Sequence, residues 1–251
     1  MGEAPENTLS SFERALQDGA TFVEFDVWAS RDGEIVIIHD ATVERTTGGR
    51  GRVTQMSLKE IKALDAGYRF SPDGGISYPY RGHGIEIPTL EEFFVTFPQA
   101  KAIIEIKQVK PTIVRRVIET VCRWRREETV LLATEKDQVM REIRQEIKAH
   151  GLPLATGFSY GEVAAFMRWV AGGKGADFIA SGQAFQIPCH YGGRTLVSAA
   201  TLKAAHEQGT EVFVWTINDA EEMERLLGMG ADGIITDYPA RLRDLSAARR
   251  R

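Results

Sequence analysis

Short apolar runs alternate with amphipathic stretches along almost the whole chain. After a first helical pattern that ends near Gly19, the strand-like runs are FVEFDV, AIIEIK, TVLLATE, LPLATGFS, ADFIASG, EVFVWTIN and ADGIITD. Between them lie helical patterns such as PTIVRRVIETVCRWRRE and QVMREIRQEIKAHG, and several of these end in glycine. Regular alternation of this kind predicts a parallel sheet with helices packed outside it.

The opening stretch MGEAPENTLSSFERALQDGATFVEFDV begins with a helix rather than a strand. Asn7 or Thr8 can cap this helix, and Phe12, Ala15 and Leu16 form its apolar stripe. The stretch has the pattern of the second half of a β-α-β unit. We count about seven parallel strands, whereas a closed (β/α)8 barrel has eight. The expected fold is therefore an α/β TIM barrel, (β/α)8, in which the first strand is missing, built as one domain over residues 1–251.

Residues 40–100 interrupt the alternation. This segment contains two short helical patterns and many glycines. Long connections inside a compact domain are usually functional or disordered. Because barrel active sites lie at the carboxyl ends of the strands, we expect this insertion to cover that mouth.

Acidic residues alternate with apolar ones in the first strand-like run, FVEFDV. Strand geometry places Val23, Phe25 and Val27 on one face and Glu24 and Asp26 on the other. The two carboxylates therefore share one face of this strand.

A histidine follows in the next strand. Asp32-Gly33 is a strong signal for a two-residue hairpin turn, and pairing residue 31 with residue 34 places Asp26 directly opposite His39. This register predicts that His39 joins the two carboxylates on one side of the ribbon.

The run AIIEIK repeats the pattern. Glu105 and Lys107 share one face of this strand, and Ile104 and Ile106 share the other. Three carboxylates in one mouth repel each other and are costly to bury unless something neutralises them. A hard divalent cation does this, and ligation by oxygen atoms alone favours Mg2+ or Ca2+ over zinc. The alternative is that the acids pair with Lys107 and nearby arginines as scaffold salt bridges.

Seven stretches of the chain resemble the glycerophosphodiester phosphodiesterases, in this order and at the usual separations. They are APENTLSSFERAL, GATFVEFDV, VIIHDATVERTTGGRG, IPTLEEFF, IIEIK, VFVWTIND and GADGIITDYP. The resemblance covers almost the whole chain. It implies a TIM-barrel phosphodiesterase that uses a divalent metal to hydrolyse glycerophosphodiesters to glycerol 3-phosphate and an alcohol.

The resemblance also implies roles for individual residues. By position, the metal ligands are Glu24, Asp26 and Glu105. The catalytic residues are His39, one of the family's two histidines, and Lys107, a base that faces the phosphate.

Two further residues are candidates for substrate binding. Trp215 matches the aromatic wall of the family's substrate pocket, although core packing is the alternative for this alternating strand. Glu6, in the Pro-Glu-Asn-Thr motif, either contacts substrate or is a first-turn carboxylate favoured by the helix dipole.

The chain departs from the family pattern at its start. In the family, a strand that ends in His-Arg-Gly precedes Pro-Glu-Asn-Thr, and this chain has only MGEA there. The expected explanation is a start codon assigned too late, and the alternative is a genuine isoform or a degenerate protein. Since one missing general acid or base costs about 10²–10⁴-fold, we expect strongly reduced turnover with metal binding retained.

Composition narrows the class of partner. The chain is 43% hydrophobic and 26% charged with a net charge of −4, which is ordinary for a soluble globular protein. The basic tail RLRDLSAARRR favours a solvated helix end over a nucleic-acid or membrane contact. We expect a small-molecule glycerophosphodiester substrate, no nucleic-acid partner and no stable membrane insertion. Cys122 and Cys189 form no metal or disulfide framework, and they fit a cytoplasmic location.

Two other functions remain open on this pattern. One keeps the fold and the metal but acts on lipid substrates, like lysophospholipase D or sphingomyelinase D. The other is a barrel without catalysis that binds phosphodiesters or a partner. Hydrolysis of lysolipid but not of glycerophosphocholine favours the first, and absence of metal binding favours the second.

Overall fold

The computed structural model describes residues 2–173 and 178–249 of the chain. The strands are β1 (Phe22–Ala29), β2 (Ile35–Ile37), β3 (Lys101–Ile106), β4 (Val130–Ala133), β5 (Ala155–Thr156), β6 (Ala184–Pro188), β7 (His190–Tyr191), β8 (Arg194–Thr195), β9 (Glu211–Trp215) and β10 (Gly233–Ile234). The α-helices are α1 (Leu9–Gln17), α2 (Leu58–Lys62), α3 (Leu90–Thr96), α4 (Val114–Arg123), α5 (Asp137–His150), α6 (Tyr160–Ala171), α7 (Ala199–Glu207), α8 (Ala220–Met229) and α9 (Pro239–Arg249).

Within these described ranges, seven strands run parallel in sequence order, as a (β/α)8 barrel requires. Strands β1, β3, β4 and β5 form one sheet, with β2 added antiparallel beside β1, and β6, β9 and β10 form a second sheet. The backbone of Gln183 donates a 2.8 Å hydrogen bond to Thr156, which joins the two sheets between β5 and β6. Of the described strands, β10 pairs with β9 alone and β1 pairs with β2 and β3. The predicted fold class is thereby confirmed.

Apolar residues pack on both sides of the parallel strands, which together we call the wall. A first outer core, formed between residues 12 and 154, lies under the helices of the first sheet. A second outer core, formed between residues 158 and 231, lies under the helices of the second sheet. A smaller inner cluster fills the wall's concave side with Ile103, Leu131, Ala133, Ala184 and Phe213. The two outer cores thus follow one another along the chain, whereas the inner cluster contains residues of both sheets.

The first helix starts as the sequence predicts. Thr8 is the N-cap of α1, and its hydroxyl accepts a hydrogen bond from the backbone of Ser11 at 3.2 Å. Phe12 is buried in the first outer core, where Ala15 and Leu16 pack against it. The apolar stripe thus fixes α1 against the sheet that carries the charged residues.

The predicted hairpin register is wrong by one residue. Ser30 and Glu34 are opposite each other, so the loop has three residues, and Gly33 adopts a φ of +89° at its end. This is a turn closed by a left-handed glycine, which three-residue loops favour. Val27 therefore pairs with Ile37, and the backbone of Asp26 accepts a hydrogen bond from Ile38 rather than standing opposite His39.

The strand predicted at ADFIASG is also misplaced. Residues 176 and 177 lie outside the described residues, and residues 178–182 form no strand. The strand is β6, a few residues later, where Phe185 and Ile187 enter the second outer core. The stretch AFQIP is hard to recognise as a strand from sequence, because it contains the polar Gln186 and ends in proline. Its side chains nevertheless alternate between the second outer core and the concave side of the wall.

The segment after β2 contains the two predicted short helices, α2 and α3. It has a small core of its own, made of Val36, Ile38, Val43, Val53, Ile61, Ala66 and Ile87. Its position over the barrel mouth stays a prediction. Across the part of the chain that the structure describes, no helix has the length and apolar character needed to cross a membrane.

Candidate active site

Strands β1 and β3 bring three carboxylates together on the concave side of the wall. Val23, Phe25 and Val27 enter the first outer core, so the two carboxylates of β1 lie on its opposite face, as the alternation predicted. Asp26 is in register with Glu105 of the neighbouring parallel strand. One carboxylate oxygen from each of Glu24, Asp26 and Glu105 lies within 4.8 Å of the others. We call these three residues the acid cluster.

Lys107 lies against the acid cluster. Its ammonium group is 3.0 Å from Asp26 and 2.8 Å from Glu105. Burial lowers the pKa of Lys107, but the two carboxylates outweigh burial and hold this pKa above its usual value. Lys107 is therefore a permanent cation in the site.

One ammonium group does not balance three carboxylates. Burial raises the pKa of Glu24 well above its ordinary value, and the charges of Asp26 and Glu105 raise it further, with a partial offset from Lys107. Burial also raises the pKa of Glu105, although Lys107 opposes this shift. The three carboxylates together are thus disfavoured as anions without a further cation, and this set of hard oxygen ligands fits a divalent cation.

Asn7 is a member of this site that the sequence reasoning missed as a functional residue. Its side-chain amide donates a 3.2 Å hydrogen bond to Asp26, across 19 positions of sequence. Its backbone has a φ of +55°, a left-handed conformation that asparagine tolerates better than most residues. Its position could have indicated this role, because Asn7 is a polar residue directly before the N-cap of α1, close to the mouth of the barrel.

His39 follows β2 and is not part of the acid cluster. Its Nδ1 atom is 2.7 Å from a carboxylate oxygen of Asp40, and the ring is about half exposed. The indole nitrogen of Trp28 donates to the backbone carbonyl of His39 at 3.1 Å, which fixes the main chain there. With Nδ1 directed at Asp40, the Nε2 atom is available to solvent or substrate.

Arg45 extends this arrangement to the start of α1. Its Nε atom donates to Asp40 at 2.6 Å, and its two terminal nitrogens donate to both oxygens of Glu6 at 2.6 Å. Burial raises the pKa of Asp40, but hydrogen bonds from Arg45 and His39 outweigh it, and the pKa lies below its usual value. The bonds to Glu6 raise the pKa of Arg45. Residues His39, Asp40, Arg45 and Glu6 form one connected chain, which we call the histidine relay.

This position of Glu6 bears on its predicted role. Only 14% of its side chain is exposed, and both oxygens bind Arg45. A direct contact between Glu6 and substrate stays a prediction, whereas its contact with Arg45 is observed. No short-range pattern indicates this pair, because its members are 39 positions apart.

Aromatic residues stand at the carboxyl ends of other strands. Trp215 ends β9 next to Pro188 of β6 and is 42% exposed, so it is not a core residue. A groove of about 480 Å³ lies beside the end of β4, and its lining includes Glu135, Tyr160 and Tyr191. Sequence analysis did not single out these three residues.

Comparison with known proteins identifies the family of the fold and site. The sequence model of the Glycerophosphoryl diester phosphodiesterase family matches residues 1–241. A glycerophosphodiester phosphodiesterase of Caldanaerobacter subterraneus subsp. tengcongensis is 31% identical over 246 residues, which cover 96% of this chain and 92% of the relative. A mouse lysophospholipase D, GDPD1, is 25% identical and covers 97% of this chain and 82% of the relative.

A solved structure shows the same fold. A crystal structure described as a glycerophosphoryl diester phosphodiesterase from Silicibacter pomeroyi superimposes with a TM-score of 0.78 at 26% identity. The alignment covers 99% of this chain and 90% of that protein.

Proposed function

Because the chain belongs to the glycerophosphoryl diester phosphodiesterase family, we propose that it hydrolyses glycerophosphodiesters to glycerol 3-phosphate and an alcohol. The observation that carries this proposal is the acid cluster with Lys107 at its side. Those four side chains lie on one side of two adjacent parallel strands, with Asp26, Glu105 and Lys107 towards the carboxyl ends, where barrel enzymes bind their substrates.

We assign the acid cluster to a divalent cation, Mg2+ or Ca2+, held by Glu24, Asp26 and Glu105. Three carboxylates and one ammonium group leave an excess of negative charge that a divalent cation offsets. When bound, such an ion supplies Lewis-acid activation of the phosphodiester oxygens. Asn7 holds one oxygen of Asp26 through its amide and thereby restricts the rotation of that carboxylate.

Lys107 and His39 divide the remaining chemistry in this proposal. The ammonium of Lys107 offsets charge on the phosphate oxygens. His39 transfers a proton at its Nε2 atom, either from the attacking hydroxyl or to the leaving alcohol. Asp40 keeps Nδ1 protonated and the ring in place, and Arg45 and Glu6 position Asp40.

The surrounding elements bind the substrate. We propose that Trp215 forms an aromatic wall beside the diester and that the insertion of residues 40–100 covers the mouth of a single domain. The exposed position of Trp215 at the end of β9 supports the first assignment. Hydrogen bonds from the insertion to the start of the chain support the second, two from Arg45 to Glu6 and one from Tyr80 to Glu3.

The test combines metal binding with product analysis. Protein stripped with a chelator is titrated with Mg2+ or Ca2+ while thermal unfolding is followed. Occupancy at 100 times the dissociation constant stabilises a protein by about 2.7 kcal/mol. For a chain of this size that is a rise of about 5–10 °C in the unfolding temperature. In parallel, release of glycerol 3-phosphate from glycerophosphocholine is measured by a coupled dehydrogenase assay.

Glu24→Gln is the informative variant, and Glu13→Gln on the exposed face of α1 is its matched control. We expect Glu24→Gln to abolish the metal-dependent thermal shift and to lower product release by about 100-fold or more. The control leaves both unchanged. Equal metal response and equal turnover in the two variants would contradict the proposal.

Two outcomes select the other functions. Release of choline from lysophosphatidylcholine without hydrolysis of glycerophosphocholine assigns the chain to lysolipid cleavage, the activity in the name of the mouse relative. Binding of glycerophosphocholine without release of either product assigns it to phosphodiester binding without catalysis.

A further inference from the structure

The groove beside the end of β4 adjoins the acid cluster. The register that pairs Glu105 with Ala133 continues to place Glu135 level with Lys107 on the neighbouring strand. Lys136 donates a hydrogen bond to Glu135 and lowers the pKa of that carboxyl, and the charges of Lys107 and His39 lower it further. Glu135 is thus an ionised group within electrostatic reach of both candidate catalytic residues.

Two tyrosines form the opposite side of the groove. The rings of Tyr160 and Tyr191 meet edge to face, with centroids 5.7 Å apart and an interplanar angle of 65°. Each tyrosine is 56% exposed, although neighbouring apolar surfaces of this size are usually covered. The backbone nitrogen of Tyr160 donates to the backbone carbonyl of Glu135 at 2.9 Å, which joins the start of α6 to the segment after β4.

The other acidic residue of the lining is already in use. Asp137 accepts a 2.8 Å hydrogen bond from the backbone of Gly161 at the start of α6. The ammonium group of Lys136 donates a hydrogen bond to Glu135, and both side chains are about half exposed. The groove therefore offers two exposed aromatic rings and one carboxylate whose counterion is a solvent-exposed lysine.

Aromatic faces with an adjacent carboxylate attract alkylammonium groups through cation–π and Coulomb interactions. We propose that this groove is the subsite for the leaving alcohol and that it favours glycerophosphodiesters whose alcohol carries an ammonium group over those with a neutral polyol. The assignment rests on the proposed function, since it places the alcohol next to Lys107. Both rings and the carboxylate bind the ammonium group, and Lys136 swings away from Glu135.

Binding and turnover test this assignment separately. Binding is measured by calorimetry for choline and for its neutral isostere 3,3-dimethyl-1-butanol, which has the same shape without the charge. Turnover is measured as the ratio of kcat/KM for glycerophosphocholine to that for glycerophosphoglycerol. Two exposed cation–π contacts predict a preference of about 5- to 30-fold in each measurement.

Four variants separate the contributions of the rings, the carboxylate and the lysine to the preference for an ammonium group. Replacement of both rings, Tyr160→Leu with Tyr191→Leu, is expected to remove the preference, and Glu135→Gln to reduce it. Lys136→Gln is expected to increase it, because the competing internal cation is gone. Trp124→Leu, a substitution of an exposed aromatic residue at the end of α4, leaves the preference unchanged. Thermal unfolding verifies that each variant is folded.

The outcomes distinguish the subsite from the proposed function. Equal binding of choline and its isostere, or a preference that the double tyrosine variant retains, overturns the subsite. Choline selectivity that depends on the tyrosines supports the groove as an ammonium site even where no substrate is hydrolysed. That last result rejects the proposed catalysis and not the subsite.

Discussion

Arg45 is the residue whose replacement tests the histidine relay most directly. Its three hydrogen bonds to Glu6 and Asp40 are all 2.6 Å long, and none of them involves the acid cluster. Arg45→Met keeps the length and much of the apolar stem of the side chain while it removes the charge and all three bonds. The substitution therefore acts on the orientation of His39 without a direct change in the acid cluster.

The expected magnitudes differ for stability and for catalysis. The guanidinium is 44% exposed, so solvent screens its ion pairs, and we expect a loss of only about 1–2 kcal/mol in the free energy of unfolding. Removal of a group that orients a functional histidine through its hydrogen-bond partner typically costs about 10- to 100-fold. That range corresponds to about 1.4–2.7 kcal/mol in the activation barrier.

The assay is release of glycerol 3-phosphate over pH 5–9, with kcat and KM determined separately, together with urea unfolding. We expect kcat to fall and KM to change little. Arg45 helps to hold the pKa of Asp40 below its usual value. Removal of the Arg45 guanidinium therefore raises the pKa of Asp40 and moves the acidic limb of the pH–activity profile to higher pH. Arg45→Lys, which keeps the charge but not the planar group, is expected to give an intermediate kcat.

Arg31→Met, at the tip of the β1–β2 hairpin, is the matched control. Its guanidinium also pairs with a glutamate, Glu60, and neither residue belongs to the histidine relay. An unchanged kcat in Arg45→Met, together with a lower free energy of unfolding, would show that Arg45 only braces the fold. A raised KM at constant kcat would show instead that it contacts substrate.

Three further predictions concern stability and reactivity. Arg126 is buried and donates hydrogen bonds to the backbone carbonyls of Phe97 and Ala100. Arg126→Met should lower the free energy of unfolding by about 3 kcal/mol, and a loss below about 1 kcal/mol in urea unfolding refutes this. Asn7→Gly should be more stable than Asn7→Ala by about 1 kcal/mol, because alanine tolerates a φ of +55° poorly; equal unfolding temperatures contradict it. The Cys189 thiol, whose pKa burial raises to about 11, should react slowly with a disulfide reagent at pH 8 and faster as the pH rises, and rapid labelling at pH 8 would exclude the buried position.

Local sequence patterns predicted the acid cluster because strand alternation is a rule of backbone geometry. Once Val23, Phe25 and Val27 face the helices, Glu24 and Asp26 must face the interior, and the same rule applies to Glu105 and Lys107. The parallel alternation of strands and helices gave the fold class for the same reason.

Contacts that depend on loop conformation or long sequence separation were not predictable in this way. The hairpin register changed by one residue because Gly33 closes a three-residue loop, and nothing in Asp32-Gly33 alone distinguishes this from a two-residue turn. The bonds between Arg45 and Glu6 join a loop to the segment just before α1, and the pairing of Tyr160 with Tyr191 joins the first residue of α6 to β7. Periodicity carries no information on such pairs.

The division of the outer cores at about residue 155 has a consequence for how specificity is distributed. The acid cluster, Lys107 and the histidine relay all belong to the portion that the first outer core supports. Trp215, Tyr160 and Tyr191 belong to the portion that the second outer core supports. The two portions meet in the small inner cluster and in polar contacts such as the bond between Gln183 and Thr156. The candidate reacting groups and the proposed alcohol subsite thus lie on different portions of the chain, so substitutions around the subsite can change substrate choice while the acid cluster stays as it is.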